Sequence, residues 1–133
     1  MYKVFRKWGF RYFLELVLTA AESGMLVLTT IHSGSVAQVM DRIASLVLKG
    51  VIVQNLFPRI SGDEGLVVGS EILLVNDLSR KVIRDGEWKS IPDILLRGKS
   101  HGMQSMQDFV EDLVRKHIID MHYLKEYSPA LNQ

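Results

Sequence analysis

His32 closes a run of seven apolar and β-branched residues, Met25 to Ile31 (MLVLTTI), and is followed at once by Ser33, Gly34 and Ser35. A neutral imidazole at the end of a strand can hydrogen-bond a phosphate or a water. The ordinary alternative is a histidine that satisfies nearby backbone groups. Gly98, Lys99 and Ser100 spell the last three letters of a phosphate-binding loop, G-x-x-x-x-G-K-S/T, whose backbone N–H groups cradle phosphate at a helix start. The glycine required five residues before Gly98 is Asp93, so the triplet reads as a basic turn between helices. Arg80 and Arg84 lie four apart and share one helical face, which is either solvated or used to dock a neighbouring subunit. Asp63 and Glu64 are adjacent carboxylates without a third ligand, and His101, His117 and His122 share no metal-ligand spacing, so no metal site is expected.

Positioning such groups takes a folded core. The 133 residues suffice for one domain that buries about two thirds of its unfolded surface, and 47% hydrophobic residues exclude a disordered tail. Sixteen basic against fifteen acidic residues leave a net charge of +1, too little to recruit nucleic acid or an anionic membrane. No cysteine is present, which excludes disulfides, thiol nucleophiles and cysteine-bound zinc and suits a reducing cytoplasm.

Phe10, Phe13, Leu14, Val17, Leu18 and Ala21 recur at helical spacing and predict an amphipathic helix ending at Gly24. Basic residues ahead of it imitate a signal peptide, but Glu15 interrupts the apolar centre, and no run is long enough to span a membrane. The unbroken Met25 to Ile31 run predicts a strand covered on both faces, as in a parallel sheet. Ser35 with Gln38 predicts a capping box, and Val39, Met40 and Ile43 the buried stripe of a short helix. Val51 to Phe57 and Leu66 to Val75 read as a hairpin around the turn at Ser61 to Gly65. Short helices follow, capped by Asp77, Ser90 and Ser105. In the longest, Met106, Phe109, Val110, Leu113 and His117 share a face, and Asp120 to Tyr127 forms a last helix before Pro129. The divisions expected are a helical segment at 1–17, an α/β core at 18–75, a helical subdomain at 76–127 and a tail at 128–133.

Several of these stretches together resemble the type IV pilus retraction ATPases, the twitching-motility branch of the type II/IV secretion ATPase superfamily. Leu18 to Ile43, with TTIHSGS at its centre, resembles the family's histidine-bearing box, Thr-Leu-His-Thr-Asn-Ser. VIVQNLFPRI at Val51 to Ile60 is similar to its Val-x-x-Gln-x-Leu-Leu-Pro-Arg strand. Glu71, Ile72 and Leu73 lead toward Ser79 to Asp85, where the family carries Arg-Asn-Leu-Ile-Arg-Glu, and Gly102 to Met106 matches its Gly-Met-Gln-Thr-Met. The resemblance covers most of Leu18 to Tyr127. It implies an α/β fold in which part of a RecA-like ATPase core, a mixed sheet, precedes a small all-helical carboxy-terminal subdomain. It also implies that His32 senses nucleotide and that Arg80 and Arg84 lie on the helix associated with retraction, near a subunit boundary.

Departures from the family pattern limit what activity to expect. Intact members use ATP and magnesium, held by a phosphate loop and served by a catalytic glutamate upstream of the histidine box. Nothing before Leu18 fits such a loop, and Arg6 to Phe10 stand where the family shows Gly-Glu-Met-Arg-Asp. Met25 replaces a second histidine, and Ala44 to Gly50 follows Asp41, Arg42 and Ile43 where the family inserts a loop and a helix. That contraction should bare apolar surface, which implies either marginal stability or burial against another chain. The expectation is a truncated retraction-ATPase homologue, cytoplasmic or peripheral at the inner membrane, that binds no cofactor and hydrolyses no ATP alone. An alternative is a silent module that joins the subunits of a hexameric pilus motor or its inner-membrane platform. A third reading lays Tyr2, Phe5, Trp8, Phe10 and Tyr12, interleaved with Lys3, Arg6, Lys7 and Arg11, on a membrane or on single-stranded nucleic acid.

Overall fold

The computed structural model describes residues 9–43, 47–61 and 65–127. The expected amino-terminal strip at Tyr2 to Trp8, the Asp63–Glu64 pair and the stop at Pro129 lie outside the described residues, as do the side chains of Phe10, Arg11 and 41–43. In chain order the elements are α1 (Gly9–Glu22), α2 (Val36–Ile43), β1 (Gly50–Pro58), β2 (Leu66–Leu74), α3 (Asp77–Asp85), α4 (Ile91–Arg97), α5 (Met106–Arg115) and α6 (His122–Tyr127). Single 3-10 turns at Trp88–Ser90 and Lys99–His101 flank α4.

Helix α1 ends as its sequence predicts. Gly24 adopts a φ of 95°, a region costly for a residue with a Cβ. That turn lets the Met25 N–H reach the Ala20 carbonyl and the Gly24 N–H the Ala21 carbonyl, closing the last turn. Beyond it the structure departs from the sequence reading. Residues 25–33 form no strand among the described residues, and Leu26 and Leu28 are 84% and 88% exposed. A strand exists only where neighbouring backbone completes its ladder, and an apolar run cannot show whether that neighbour is present.

The hairpin is found where it is expected. β1 and β2 pair antiparallel from Gly50 opposite Leu74 to Pro58 opposite Leu66, and they make up the only sheet among the described residues. Val51, Val53 and Phe57 on β1 and Leu73 on β2 turn inward, while Ile52, Leu56, Leu66, Val68 and Leu74 on the opposite face stay exposed. Gly69 is needed opposite Asn55, because a Cβ there would meet the Phe57 ring at 2.5 Å and the Met106 sulfur at 3.2 Å.

Two apolar clusters share the hairpin's inner face. Val51, Val53 and Leu73 join Val36, Val39 and Met40 of α2, Val82 and Ile83 of α3, and Ile91, Ile94 and Leu95 of α4. Phe57 at the other end joins Met106, Val110 and Leu113 of α5 with Ile119. Its ring meets Tyr123 and Tyr127 edge-on, with centroids 5.2 and 5.8 Å apart. Each fully buried large side chain contributes roughly 1.5–3 kcal/mol, so both ends of the hairpin are anchored.

Helix caps follow the sequence with two corrections. Ser35 and Ser105 accept from the N–H of Gln38 at 3.3 Å and of Asp108 at 3.1 Å, as predicted. At α3 the cap is Asn76, one residue before the expected Asp77: its Oδ1 accepts from the Ser79 N–H while the Ser79 hydroxyl accepts from the Asn76 N–H. Ser90 occupies the N-cap of α4 without a side-chain bond, and Pro92 sits in the first turn, where no N–H is required. His117 does not share the buried face of α5. That helix stops at Arg115, and His117 is exposed in the left-handed region at φ 54°, where its N–H donates to the Val114 carbonyl.

Candidate functional site

Residues 27–34 run along one wall of a cleft of about 750 Å³, and residues 50–55 of β1 form the other wall. His32 is exposed there, in the company of Ser33, Gly34, Gln38, Gln54 and Asn55. Gln38 folds back over the loop, where its Oε1 accepts from the Gly34 N–H at 3.1 Å and the Ser33 hydroxyl at 3.2 Å. Asn55 donates to the Tyr127 hydroxyl at 3.0 Å. Burial first, then the nearby Glu126 charge, pushes that phenol above its ordinary pKa, so it stays neutral. The described lining includes no lysine or arginine, so the cleft offers hydrogen bonds to a ligand but no fixed cation for a triphosphate.

Hydrogen bonding also shows which way the β1 backbone points. The Lys49 carbonyl accepts from the Val75 N–H at 2.9 Å, so Val51, Val53 and Asn55, which alternate with it, direct their backbone groups toward β2. Ile72 exchanges both of its backbone bonds with Gln104, at 2.8 and 3.0 Å, on the far side of β2. Its opposite number Ile52, with Gly50 and Gln54 on either side, therefore directs N–H and C=O groups away from β2 and into the cleft. Among the described residues, no backbone group pairs with those of Ile52 or Gln54.

The other candidate residues lie elsewhere. Arg80 and Arg84 share α3, whose buried side is Ser79, Val82 and Ile83, and neither lines the cleft with His32. Arg84 is exposed and pairs with Asp85 at 3.5 Å. Gly98 to Ser100 make a short turn in place of a phosphate cradle. Gly98 is buried against Met103, whose side chain occupies the space a Cβ would need. Lys99 donates to Asp108 at 2.7 Å, and the Ser100 hydroxyl meets the His101 ring at 3.1 Å. His122 pairs with Asp120 at 2.8 Å. Among the described residues, no group of three histidines or carboxylates could hold a metal.

Glu71 is the residue that motif reading passed over. Its Oε1 accepts from the Val36 N–H at 2.8 Å and its Oε2 from the Met106 N–H at 3.3 Å, so one carboxylate serves the starts of α2 and α5. The wall that carries His32 is thus fixed to the hairpin through the first turn of α2. Both partners lie 35 positions away in sequence, so local patterning could not show the contact.

Comparison with known proteins agrees with the motif order. No family model matches the chain. A twitching motility protein of Neisseria gonorrhoeae is 35% identical over 121 residues, covering 80% of this chain and 32% of that protein. The type IV pilus retraction ATPase PilT of Pseudomonas aeruginosa is 30% identical over 128 residues, covering 85% of this chain and 37% of its own. The crystal structure of the pilus retraction motor PilT with bound ADP superposes with a TM-score of 0.70 at 27% identity, over 87% of this chain and 36% of that one. The chain matches one part of the type IV pilus retraction ATPases. It spans about a third of the length of the curated relatives it matches. The ATPase DotB of Legionella pneumophila, at 21% identity and a TM-score of 0.61, shares the fold. As in these retraction-family relatives, the fold is α/β, with part of the ATPase core followed by a helical part. Among the described residues, no helix is long and apolar enough to cross a membrane.

Proposed function

We propose that these 133 residues form a catalytically silent module of the pilus retraction type, which joins a nucleotide-handling partner and does not hydrolyse ATP by itself. The observation that carries this reading is chemical. The sequence contains no G-x-x-x-x-G-K-S/T turn, and its one Gly-Lys-Ser triplet has its glycine packed on Met103 and its lysine held by Asp108. The cleft beside His32 supports the same conclusion, since no described cation lines it to offset phosphate charge. In this reading ATP and magnesium belong to the partner, and His32 reports the partner's nucleotide state across the cleft. Arg80 and Arg84 dock a neighbouring subunit of a motor at the cytoplasmic face of the inner membrane. Phosphate release from magnesium-ATP by the purified chain should not exceed the buffer blank, and turnover that scales with protein concentration refutes the silence.

The exposed outer face of the hairpin favours the partner half of this reading over a non-functional remnant. Ile52 and Leu56, at 66% and 61% exposure, lie with Leu66 and Val68 on a surface that solvent alone covers poorly. Co-purification with an intact retraction ATPase is expected. Its absence at equimolar, micromolar mixing would leave the remnant.

A further inference from the structure

We infer that α5 and α6 form a lever that controls the loop bearing His32, pivoting at Glu71 and latched at Tyr127. Three successive residues of β2 hold the start of the lever. The Ser70 carbonyl accepts from the Gln104 side-chain amide at 2.7 Å, and Ile72 exchanges backbone bonds with Gln104. Between them the Glu71 carboxylate accepts from the Met106 N–H. The far end of the lever rests on β1, where Tyr123 and Tyr127 meet the Phe57 ring edge-on and the Tyr127 hydroxyl accepts from Asn55 at 3.0 Å. Asn55, Tyr123 and Tyr127 are only half-buried, whereas Met106 at the pivot is buried, so the latch is the end that opens first.

The link to His32 runs through the other oxygen of the same carboxylate. Along β2, Glu71 lies between Leu73, which belongs to the cluster around α2 and α4, and Gly69, which abuts Phe57 and Met106. It is the polar joint between two apolar bodies. Its Oε1 holds the Val36 N–H at 2.8 Å, and its Oε2 holds the Met106 N–H at the longer distance of 3.3 Å. Because two helix starts share one carboxylate, a shift of α5 that moves Glu71 also disturbs the first turn of α2. That turn fixes the loop, since Ser35 caps the Gln38 N–H while the Gln38 side chain accepts from Gly34 and Ser33, the neighbours of His32. Lifting α6 therefore loosens residues 33–36, and docking it stiffens them. The coupling is a property of the fold and stands apart from the module reading, whatever the chain does with ATP.

Amide hydrogen exchange on the full chain, read residue by residue, tests it. Tyr127→Phe removes the acceptor that Asn55 uses and keeps the ring against Phe57. The variant should speed exchange in α6, and also at Gly34, Val36 and Val39, by about threefold or more. Ile94 and Leu95 of α4 share the apolar cluster of Val36 and Val39, and no bond ties them to Glu71, so their exchange should not change. Where Tyr127→Phe leaves α6 itself unmoved, Tyr123→Ala, which takes away a ring packed on Phe57, is the perturbation read in the same way. With Glu71→Ala as the background, the effect on α6 should persist and the effect at Gly34 and Val39 should vanish. A loosened α6 with unmoved exchange at Gly34, Val36 and Val39 overturns the inference. So does equal acceleration at Ile94 and Leu95, which would mean that the chain opens as one body, and so does an effect at Val39 that survives Glu71→Ala.

Discussion

The carboxylate of Glu71 on β2 accepts the backbone N–H of Val36, the first residue of α2, at 2.8 Å across 35 positions of sequence. Its second oxygen accepts the Met106 N–H, at the start of α5, so a single side chain completes the first turns of two helices. Glu71→Ala should therefore destabilise by about 1–3 kcal/mol in urea unfolding, since two partly buried donors lose their acceptor. Glu71→Gln should cost less, because its amide keeps one acceptor oxygen. Equal losses for the two variants would mean that charge, and not hydrogen bonding, sets the contribution.

Gly69→Ala is expected to destabilise by about 1–3 kcal/mol through overpacking, because the added methyl meets the Phe57 ring and Met106. Pairing it with Phe57→Leu should restore part of the loss. Thermal unfolding of the two single variants and the double variant checks this.

His117 occupies the left-handed turn after α5, a place that favours glycine. His117→Gly should stabilise by roughly 0.5–1 kcal/mol, the relief of Cβ strain outweighing the entropy that glycine adds to the unfolded chain. A lower urea midpoint would show that the imidazole makes a contact worth more than the strain.

Burial alone would raise the Asp108 carboxyl, but donation from Lys99 and Ser105 outweighs it and holds the group below its ordinary value. With the folded pKa depressed, the stability that Asp108 contributes is fully present above the unfolded carboxylate's pKa and is lost as pH falls through the folded value. Urea midpoints measured from about pH 5 downward should fall more steeply in the parent than in Asp108→Asn. Lys99→Met should lessen the slope by removing the larger donor. Parallel acid limbs in all three proteins would show that the pair is inert.

Elements set by local chemistry were legible in the sequence. The hairpin follows from alternation on either side of a turn, α2 and α5 from their serine caps, and the end of α1 from Gly24. What depends on distant partners was not. The 25–31 run has strand composition but no ladder partner among the described residues, and the role of Glu71 appears only once β2 lies against the starts of two helices. At α3 the shift from Asp77 to Asn76 reflects two adjacent residues able to cap, a choice that the Ser79 hydroxyl settles by bonding back to the Asn76 N–H. His32 was identifiable as a candidate from the resemblance of TTIHSGS to the family's histidine-bearing box. Its cleft was not, because β1 supplies the opposite wall.

Equilibrium titration of the purified chain with magnesium-ATP, followed by calorimetry and by the shift in thermal midpoint, tests the central claim most directly. The account predicts no saturable heat and an unchanged midpoint at millimolar nucleotide. Saturable, magnesium-dependent binding in the micromolar range would mean that these residues build a phosphate site of another kind, and the assignment as a silent module would be wrong.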